Sequence, residues 1–412
     1  MITYISDLSL PRQHSWPRRT VVMGSTGSIG VNTLDVMERQ PERFCVTALA
    51  GARNVTLLAK QATRHRPPHL AVLDESSRAD LAALLPAGYA PTIHCGPQGY
   101  AAIASLDEAD LVVSAQVGAA GLAATHAAVR NGKTVALANK ESLVLAGGLL
   151  RDLAQKTHAL ILPVDSEHNA IFQCLAGQEH SSVQRIILTA SGGPFRGKTA
   201  SFLESVTPTM ALAHPNWCMG AKISIDSATM MNKGLEIIEA CHLYGLPLNH
   251  IDVLVHPQSI IHSLVEFSDA SLLAQAGPPD MRMAIAHCLG WPERLASGIP
   301  PMDLAAIAAL TFEKPDLSVF RCLALAREAF RFGKGMPVVL NAANEIAVDA
   351  FLSGRIPFQG IAACVEKAME RHAATARHEP ESLEAIVNLD ETTRRTTTEA
   401  HNISSAPLQQ KR

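Results

Sequence analysis

The sequence predicts an α/β protein: a doubly wound parallel sheet, then an α+β portion, then a helical C-terminal portion. Three observations predict this. Short apolar runs alternate with helical spans through the first 160 residues. A glycine-rich turn, Gly24-Ser-Thr-Gly27-Ser-Ile-Gly30, separates the first run from the first helix. After Val164 the alternation stops, and from Leu317 onward the apolar spacing is helical. Strands separated by helices form parallel sheets covered on both faces, because each crossover must lie on a face.

The elements follow in order. Arg19 to Met23 reads as a buried strand, and a helix runs from Ser28 to Arg39. Further strands are expected at Phe44–Ala50, Leu70–Leu73, Leu111–Ser114, Thr134–Ala138 and Ala159–Val164. In the middle portion, strands are expected at Val183–Thr189, Ile251–His256 and Ile260–Phe267, in an antiparallel or mixed sheet. Trp291 to Asp316 is proline-rich and reads as a linker crossing the molecule. Helices follow over Cys322–Phe330 and Asn341–Phe351, and the last twenty or so residues read as a frayed, threonine-rich tail. The resulting division is 1–164, 165–290, a linker at 291–316, and 317–412.

Bulk properties exclude several classes. A chain of 412 residues exceeds one ordinary core. The formal net charge is -3 with no basic stretch, which argues against a nucleic-acid partner. The eight cysteines are scattered without a C-x-x-C pair, so each is expected to be a small buried hydrophobe in a reducing compartment. Met1 to Arg19 lacks the apolar core of a signal peptide, and Leu111 to Val129 is too broken by polar residues to span a membrane. A soluble, cytoplasmic protein is expected.

The turn at Gly24–Gly30 is a variant of the dinucleotide fingerprint. Its glycines let backbone approach a pyrophosphate, and the helix start supplies N–H groups. The second strand ends at Ala50-Gly51-Ala52-Arg53-Asn54, where an NAD enzyme usually carries an acid for the ribose diol. Arg53 stands there instead, and a guanidinium suits the 2′-phosphate of NADPH. Asn139-Lys140-Glu141 follows another strand, at the sheet end where ligands bind in such folds.

The remaining chemistry lies further along. Asp165 and Glu167 follow a buried strand two residues apart, so an extended backbone puts both carboxylates on one side. Paired acids repel unless a cation joins them, and carboxylate oxygens suit Mg2+ or Mn2+. For an isolated pair of this kind the favoured reading is a solvated acidic turn with Ser166 or Asp165 as a helix cap. If Ser227 opens a helix, Asn232, Lys233 and Glu236 share one face, and the helix can grip a phosphate and a metal together. Met230 and Met231 read as core. Ser191-Gly192-Gly193 can form an anion nest, and Thr209 to Gly220 is expected to form a loop in which Trp217 can cover a site.

Eight strings together resemble the 1-deoxy-D-xylulose 5-phosphate reductoisomerase family. They are GSTGSIG at 24–30, ANKESLV at 138–144, LPVDSEHNAIFQ at 162–173, SGGPFR at 191–196, HPNW-MG at 214–220, KISIDSATMMNKGLE at 222–236, HPQSIIHS at 256–263 and LNAANEIAV at 340–348. The resemblance implies an N-terminal Rossmann-like NADPH domain, a central α+β catalytic and dimerisation domain, a C-terminal helical domain, and a homodimer. It implies that a phosphorylated sugar rearranges by retro-aldol and aldol steps and that NADPH reduces the resulting aldehyde to 2-C-methyl-D-erythritol 4-phosphate, early in non-mevalonate isoprenoid synthesis.

By motif, Asp165, Glu167 and Glu236 resemble the metal ligands, for Mg2+ or Mn2+ with Co2+ also compatible. Lys140 resembles the ammonium beside the reacting oxygens. Ser191, Ser227, Asn232 and Lys233 resemble phosphate contacts, and Ser166, His214 and Trp217 other substrate contacts. Thr26, Gly27, Ser28, Ile29, Arg53, Asn54, Asn139, Glu141 and Gly220 resemble cofactor contacts. One departure is Ala52 directly before Arg53, where many members carry glycine. Residues before Arg19 match no motif. Two other readings stay open: a metal-free NADPH sugar-phosphate dehydrogenase, and a paralogue that binds without turnover.

Overall fold

The computed structural model describes residues 3–9, 15–217 and 219–400. Seven strands build the first sheet: β1 Arg18–Met23, β2 Phe44–Ala50, β3 His69–Val72, β4 Thr92–Cys95, β5 Leu111–Ser114, β6 Thr134–Leu137 and β7 Leu160–Pro163. Their spatial order is β4-β3-β2-β1-β5-β6-β7, and every ladder is parallel. Helices cover both faces, so the central strands are buried beyond their first two residues; Val21, Val22 and Met23 have no exposure. The chain reverses its winding between β1 and β5, where Thr20 to Met23 pair with Leu111 to Ser114. A crevice opens beyond the strand ends at such a reversal.

The second sheet has β8 Val183–Ala190, β9 Ile251–Val255, β10 Ile261–Phe267 and β11 Leu272–Ala276 in the order β11-β10-β8-β9. It is mixed: β8 and β9 run parallel, and the other two ladders are antiparallel. The helical C-terminal portion follows, with Arg321–Phe332, Met336–Leu352, Gly360–Thr375 and Leu383–Ala400. No helix among the described residues is long and apolar enough to cross a membrane.

Several expectations need correction. Strands β4 and β11 went unread, and both are edge strands. Thr92 to Cys95 is nowhere fully buried and shows no apolar run, while Leu272 to Ala276 is made of residues that also suit a helix. The linker is not featureless: Leu304–Ile307 is a helical turn, and Glu313 forms a bridge with Val255. The tail expected to fray is helical through Ala400, with Asp390, Thr393 and Thr397 buried. Residues 401–412 lie outside the described residues. Cys45 is exposed and Cys95 half-buried, against the expectation of burial, whereas Cys174, Cys241, Cys288, Cys322 and Cys364 are buried; Cys218 lies outside the described residues.

The segment before Arg18, which carries no motif, packs against the main body. Tyr4 Oη donates to Ile161 O at 2.6 Å, and Ser6 Oγ accepts from Ile161 N at 2.9 Å. These side chains occupy backbone groups that an edge strand otherwise leaves open. Ile5 N donates to Leu243 O, which ties the same segment to the helix Met231–Tyr244.

Candidate active site

The turn after β1 is held closed by backbone contact. Gly24 has φ +76°, and a Cβ there would lie 2.4 Å from Ala115 O. A Cβ at Gly30 would lie 2.4 Å from Gly24 O. Only glycine allows the turn to lie this close to the chain leaving β5 and to its own helix. Ser28 and Ile29, which open that helix, face the site cavity.

Next to this crevice, the ends of β6 and β7 bring an acid cluster together. Asp165 is the N-cap residue of helix Ser166–Leu175, and Glu167 lies in its first turn. The two acids therefore sit at a helix start and not, as expected, on extended backbone. Glu236 comes from helix Met231–Tyr244 and is fully buried. Lys140 Nζ lies 2.5 Å from Asp165 Oδ2 and 3.2 Å from Glu236 Oε1. Lys233 Nζ lies 2.9 Å from Glu167 Oε1 and also contacts Glu236 Oε2. Three carboxylates thus share two ammonium groups, and Asn232 donates to Glu236 Oε1 at 2.5 Å.

The charges respond to these surroundings. Burial opposes ionisation of Asp165, but Lys140 and then His168 outweigh it and hold the carboxyl below its ordinary range. Burial, followed by repulsion from Glu167, pushes Glu236 up to about 7. Burial would neutralise Lys140, yet Asp165 and Glu236 hold it charged. An excess of carboxylate over ammonium in a buried place favours an added cation. Asp165 Oδ2 also takes the ion contact from Lys140 without a well-directed hydrogen bond. Oxygen donors of this kind suit Mg2+ or Mn2+, so the residues fit such an ion.

His168 was in a recognised string but was given no role. It is fully buried, its Nε2 lies 2.9 Å from Glu236 O, and its Nδ1 faces Glu239 Oε2 at 3.4 Å. Ligand atoms of Asp165, His168 and Glu236 lie within 4.8 Å of one another. The signal for His168 and Glu239 was helical spacing: each stands three residues beyond an acid already singled out.

A second wall comes from the turn after β8. Gly193 has φ +66°, and a Cβ there would lie 2.7 Å from Ser227 O. That approach brings Ser191 and Ser227 to one cavity. His214 Nδ1 accepts from Asn216 N at 3.2 Å and Trp217 N at 3.0 Å. Its Nε2 therefore carries the proton and donates to Ser191 Oγ at 2.9 Å. Ser227 does not open the helix of Asn232, as expected. It ends a separate helix, Ala221–Ala228, and Met230 in the left-handed region, at φ 58°, breaks the two apart. The break leaves Met230 and Met231 buried, as expected of core residues, and turns Asn232, Lys233 and Glu236 toward the acids.

One cleft of about 190 Å³ joins these parts. Ser28, Ile29, Lys140, Asp165, Ser166, Glu167, Ser191, His214, Trp217, Gly220, Ser227, Asn232, Lys233 and Glu236 all line it. Asn232 and Lys233 line the cleft while their side chains bond to groups of the acid cluster. Thr26, Gly27, Arg53, Asn54, Asn139 and Glu141 lie outside the cleft lining. Arg53 is exposed within electrostatic reach of Asp74, and Asn54 caps the helix Val55–His65. Asn139 donates to Gln116 O and Gly118 O, while Glu141 pairs with Lys222 at 2.7 Å. His262, Met219 and Met281 also line the cleft and were not foreseen; apolar or buried residues of this kind look like core in a sequence.

Models of the 1-deoxy-D-xylulose 5-phosphate reductoisomerase family match residues 20–147, and its C-terminal domain models match 161–244 and 276–396. The chain is 62% identical over 396 residues to the 1-deoxy-D-xylulose 5-phosphate reductoisomerase of Oleidesulfovibrio alaskensis, spanning 96% of this chain and 97% of that one. It is 60% identical over 397 residues to that of Nitratidesulfovibrio vulgaris, with the same coverage of both. Among solved structures, a DOX-P reductoisomerase in complex with NADPH, fosmidomycin and magnesium superposes with a TM-score of 0.91 at 43% identity, over 94% of this chain and 98% of that one. The enzyme from Zymomonas mobilis in complex with NADPH superposes with a TM-score of 0.86 at 46% identity, over 95% of this chain and 100% of that one. With matches of this identity and extent, the chain belongs to the 1-deoxy-D-xylulose 5-phosphate reductoisomerase family.

Proposed function

We propose that the chain converts 1-deoxy-D-xylulose 5-phosphate into 2-C-methyl-D-erythritol 4-phosphate with NADPH and a divalent metal, early in non-mevalonate isoprenoid precursor synthesis. The observation that carries this reading is the single cleft in which the acid cluster, the Ser191–Ser227 wall and the helix start at Ser28 meet. The structural relatives bind NADPH and magnesium, which supports the same cofactors here.

Asp165, Glu167 and Glu236 would hold the ion, Mg2+ or Mn2+. When bound, it supplies Lewis acidity and a template, and NADPH supplies the hydride. The chain's own groups do the rest. Lys140, kept charged by its acids, presents an ammonium beside the substrate oxygens and can hold a proton there. Ser191, Ser227, Asn232 and Lys233 bind the phosphate, and Ser166 and His214 orient the sugar. Trp217 excludes water from above, with its ring 6.5 Å from that of His262. Thr26, Gly27, Ser28, Ile29, Asn139, Glu141 and Gly220 position the dinucleotide, and Arg53 and Asn54 take its 2′-phosphate end.

The reading has three further parts. A homodimer fits the edge strand β11, which leaves Leu272 and Leu273 51% and 40% exposed. A cytoplasmic site fits the unpaired cysteines among the described residues. The division at 164, 290 and 316 fits the change from one sheet to the next and then to helices.

Absorbance of NADPH during turnover tests the whole. The purified chain with substrate and Mg2+ should oxidise NADPH, stop with EDTA and recover with added metal. Turnover indifferent to EDTA would favour a metal-free dehydrogenase and overturn the metal site. NADPH binding without turnover would favour the inactive paralogue.

A further inference from the structure

The helix Met336–Leu352 carries the string Leu340 to Val348, yet none of the roles above uses it. Its polar side chains point inward. Asn341 and Asn344 are fully buried, and Glu345 is 18% exposed at its side chain. Glu345 Oε1 accepts from Ala119 N at 3.1 Å and from Asn341 Nδ2 at 2.9 Å. Glu345 Oε2 accepts from Arg394 Nη2 at 2.8 Å. Arg394 belongs to the helix Leu383–Ala400 and is itself gripped by Asp390.

Ala119 lies in the turn Gly118–Gly121 that follows β5. This turn continues the chain leaving β5, which borders the crevice opposite Gly24, where a Cβ would lie 2.4 Å from Ala115 O. It is held from two sides. Asn139 Nδ2 donates to Gln116 O at 2.7 Å and to Gly118 O at 2.9 Å. Glu345 grips the opposite side, so closely that a Cβ at Gly118, where φ is +70°, would lie 2.7 Å from Glu345 Oε1. Between these anchors, Gln116 Oε1 is buried without a hydrogen-bond partner, and Val117 is 68% exposed. A clamped turn with an unused buried acceptor and an exposed apolar side chain is suited to meet a ligand.

We propose that Glu345 is a positioning residue for the dinucleotide: from the C-terminal helices it fixes the Gln116–Ala119 turn against which the cofactor binds. The proposal rests on NADPH binding at the β1–β5 crevice. The effect is preorganisation, because a turn already held in its bound shape needs no ordering when the cofactor arrives. Arg394 acts one step further out, by holding the Glu345 carboxylate in place.

The test compares NADPH binding with turnover, using the full chain. NADPH fluorescence titration gives the cofactor Kd, and steady-state kinetics with Mg2+ give kcat and both KM values. E345A should raise the NADPH Kd about 10-fold, the ratio that ~1.4 kcal/mol gives. Its kcat at saturating NADPH and its KM for the sugar phosphate should stay near wild type. E345Q keeps an acceptor for the Ala119 N–H and should recover most of the affinity. R394M should weaken NADPH binding in the same direction but less, and it decides the matter if E345A does not fold. An unchanged NADPH Kd in folded E345A or R394M overturns the proposal. So does a parallel fall in kcat and rise in both KM values, which is what loosened packing alone would give. Failure of the wild-type chain to bind NADPH would instead overturn the cofactor reading on which the proposal rests.

Discussion

Lys140 Nζ lies 2.5 Å from Asp165 Oδ2, although the two residues belong to different connections of the first sheet. The register explains the contact. Leu137 pairs with Pro163 at the ends of β6 and β7, so the residues just beyond each strand emerge side by side. The ammonium is thereby built into the acid cluster before any ligand arrives.

Removing that ammonium should expose the repulsion it masks. In K140M, Asp165 and Glu236 are left buried without their shared cation, at a cost of about 3 kcal/mol or more. Calorimetry in EDTA should show a lower Tm than wild type, and Mg2+ should raise the Tm of K140M more than that of wild type. Turnover should be lost. An equal Mg2+ response in both proteins would show that Lys140 and the ion do not share the site.

The identity of the third ligand is open to direct measurement. The family resemblance assigns Glu167, while His168 lies closer to Asp165 and Glu236 in this structure. His168 is fully buried, with Nε2 held by Glu236 O and Nδ1 turned to Glu239 Oε2 at 3.4 Å, whereas the Glu167 side chain is 18% exposed, which favours Glu167 as the accessible donor. Mn2+ affinity, read by paramagnetic resonance, should fall at least about 10-fold in E167Q and E236Q, the low end of effects seen when metal sites are disturbed. H168N should fall less. A larger loss in H168N than in E167Q would reverse the assignment.

Trp217 offers a third test. Its backbone N–H is held by His214, and its side chain lines the cleft above His262. W217A should raise the KM for the sugar phosphate by about 10-fold, as expected for one lost aromatic contact of ~1.4 kcal/mol. NADPH affinity should not change. If both affinities fall together, the ring only supports the loop.

Cofactor choice should follow Arg53. R53D places a carboxylate where NAD enzymes carry one. The preference for NADPH over NADH, measured as a ratio of kcat/KM values, should fall by about 100-fold or more, since one charge-assisted phosphate contact is lost and a repulsion gained. An unchanged ratio would place the 2′-phosphate elsewhere.

Acid should destabilise the fold through His287. The residue is 7% exposed, its Nδ1 lies 3.2 Å from Asn169 Nδ2, and Phe172 and Trp291 pack against it. Burial, with a smaller push from Arg294, lowers its pKa from 6.5 to about 4. As pH falls, the unfolded imidazole takes its proton near 6.5 and the folded one only near 4. Protonation therefore favours the unfolded chain across that window, with a total loss of about 3 kcal/mol at ~1.4 kcal/mol per pH unit. Above the window the group has no effect. H287N should flatten the fall of Tm between these pH values, and an identical slope in both proteins would clear His287 of any part in it.

The parts of the protein that the sequence reveals are those set by neighbours along the chain. The buried run Val21 to Met23, the turn at Gly24 and the helix from Ser28 are each fixed within a few residues, by continuous burial and by a backbone conformation only glycine takes easily. Asp165, Glu167 and Glu236 could be singled out because acids after a buried strand or on one helical face need a reason. The edge strands escaped notice, since a half-exposed strand such as Thr92 to Cys95 has little apolar pattern to read.

What only the tertiary structure decided is which distant groups meet. Nothing local ties Lys140 to Asp165, Gly193 to Ser227 or Glu345 to Ala119. The first contact follows from parallel strand register, the second from backbones that pack where a Cβ cannot fit, and the third from a helix laid across the sheet's end. The helix break at Met230 is of the same kind. A methionine held at φ 58° is disfavoured locally and persists because the packed surroundings over-determine it. Local spacing fixes direction within a turn or two; contacts such as these, between residues 25, 34 and 226 apart in the chain, depend on the whole fold closing at once.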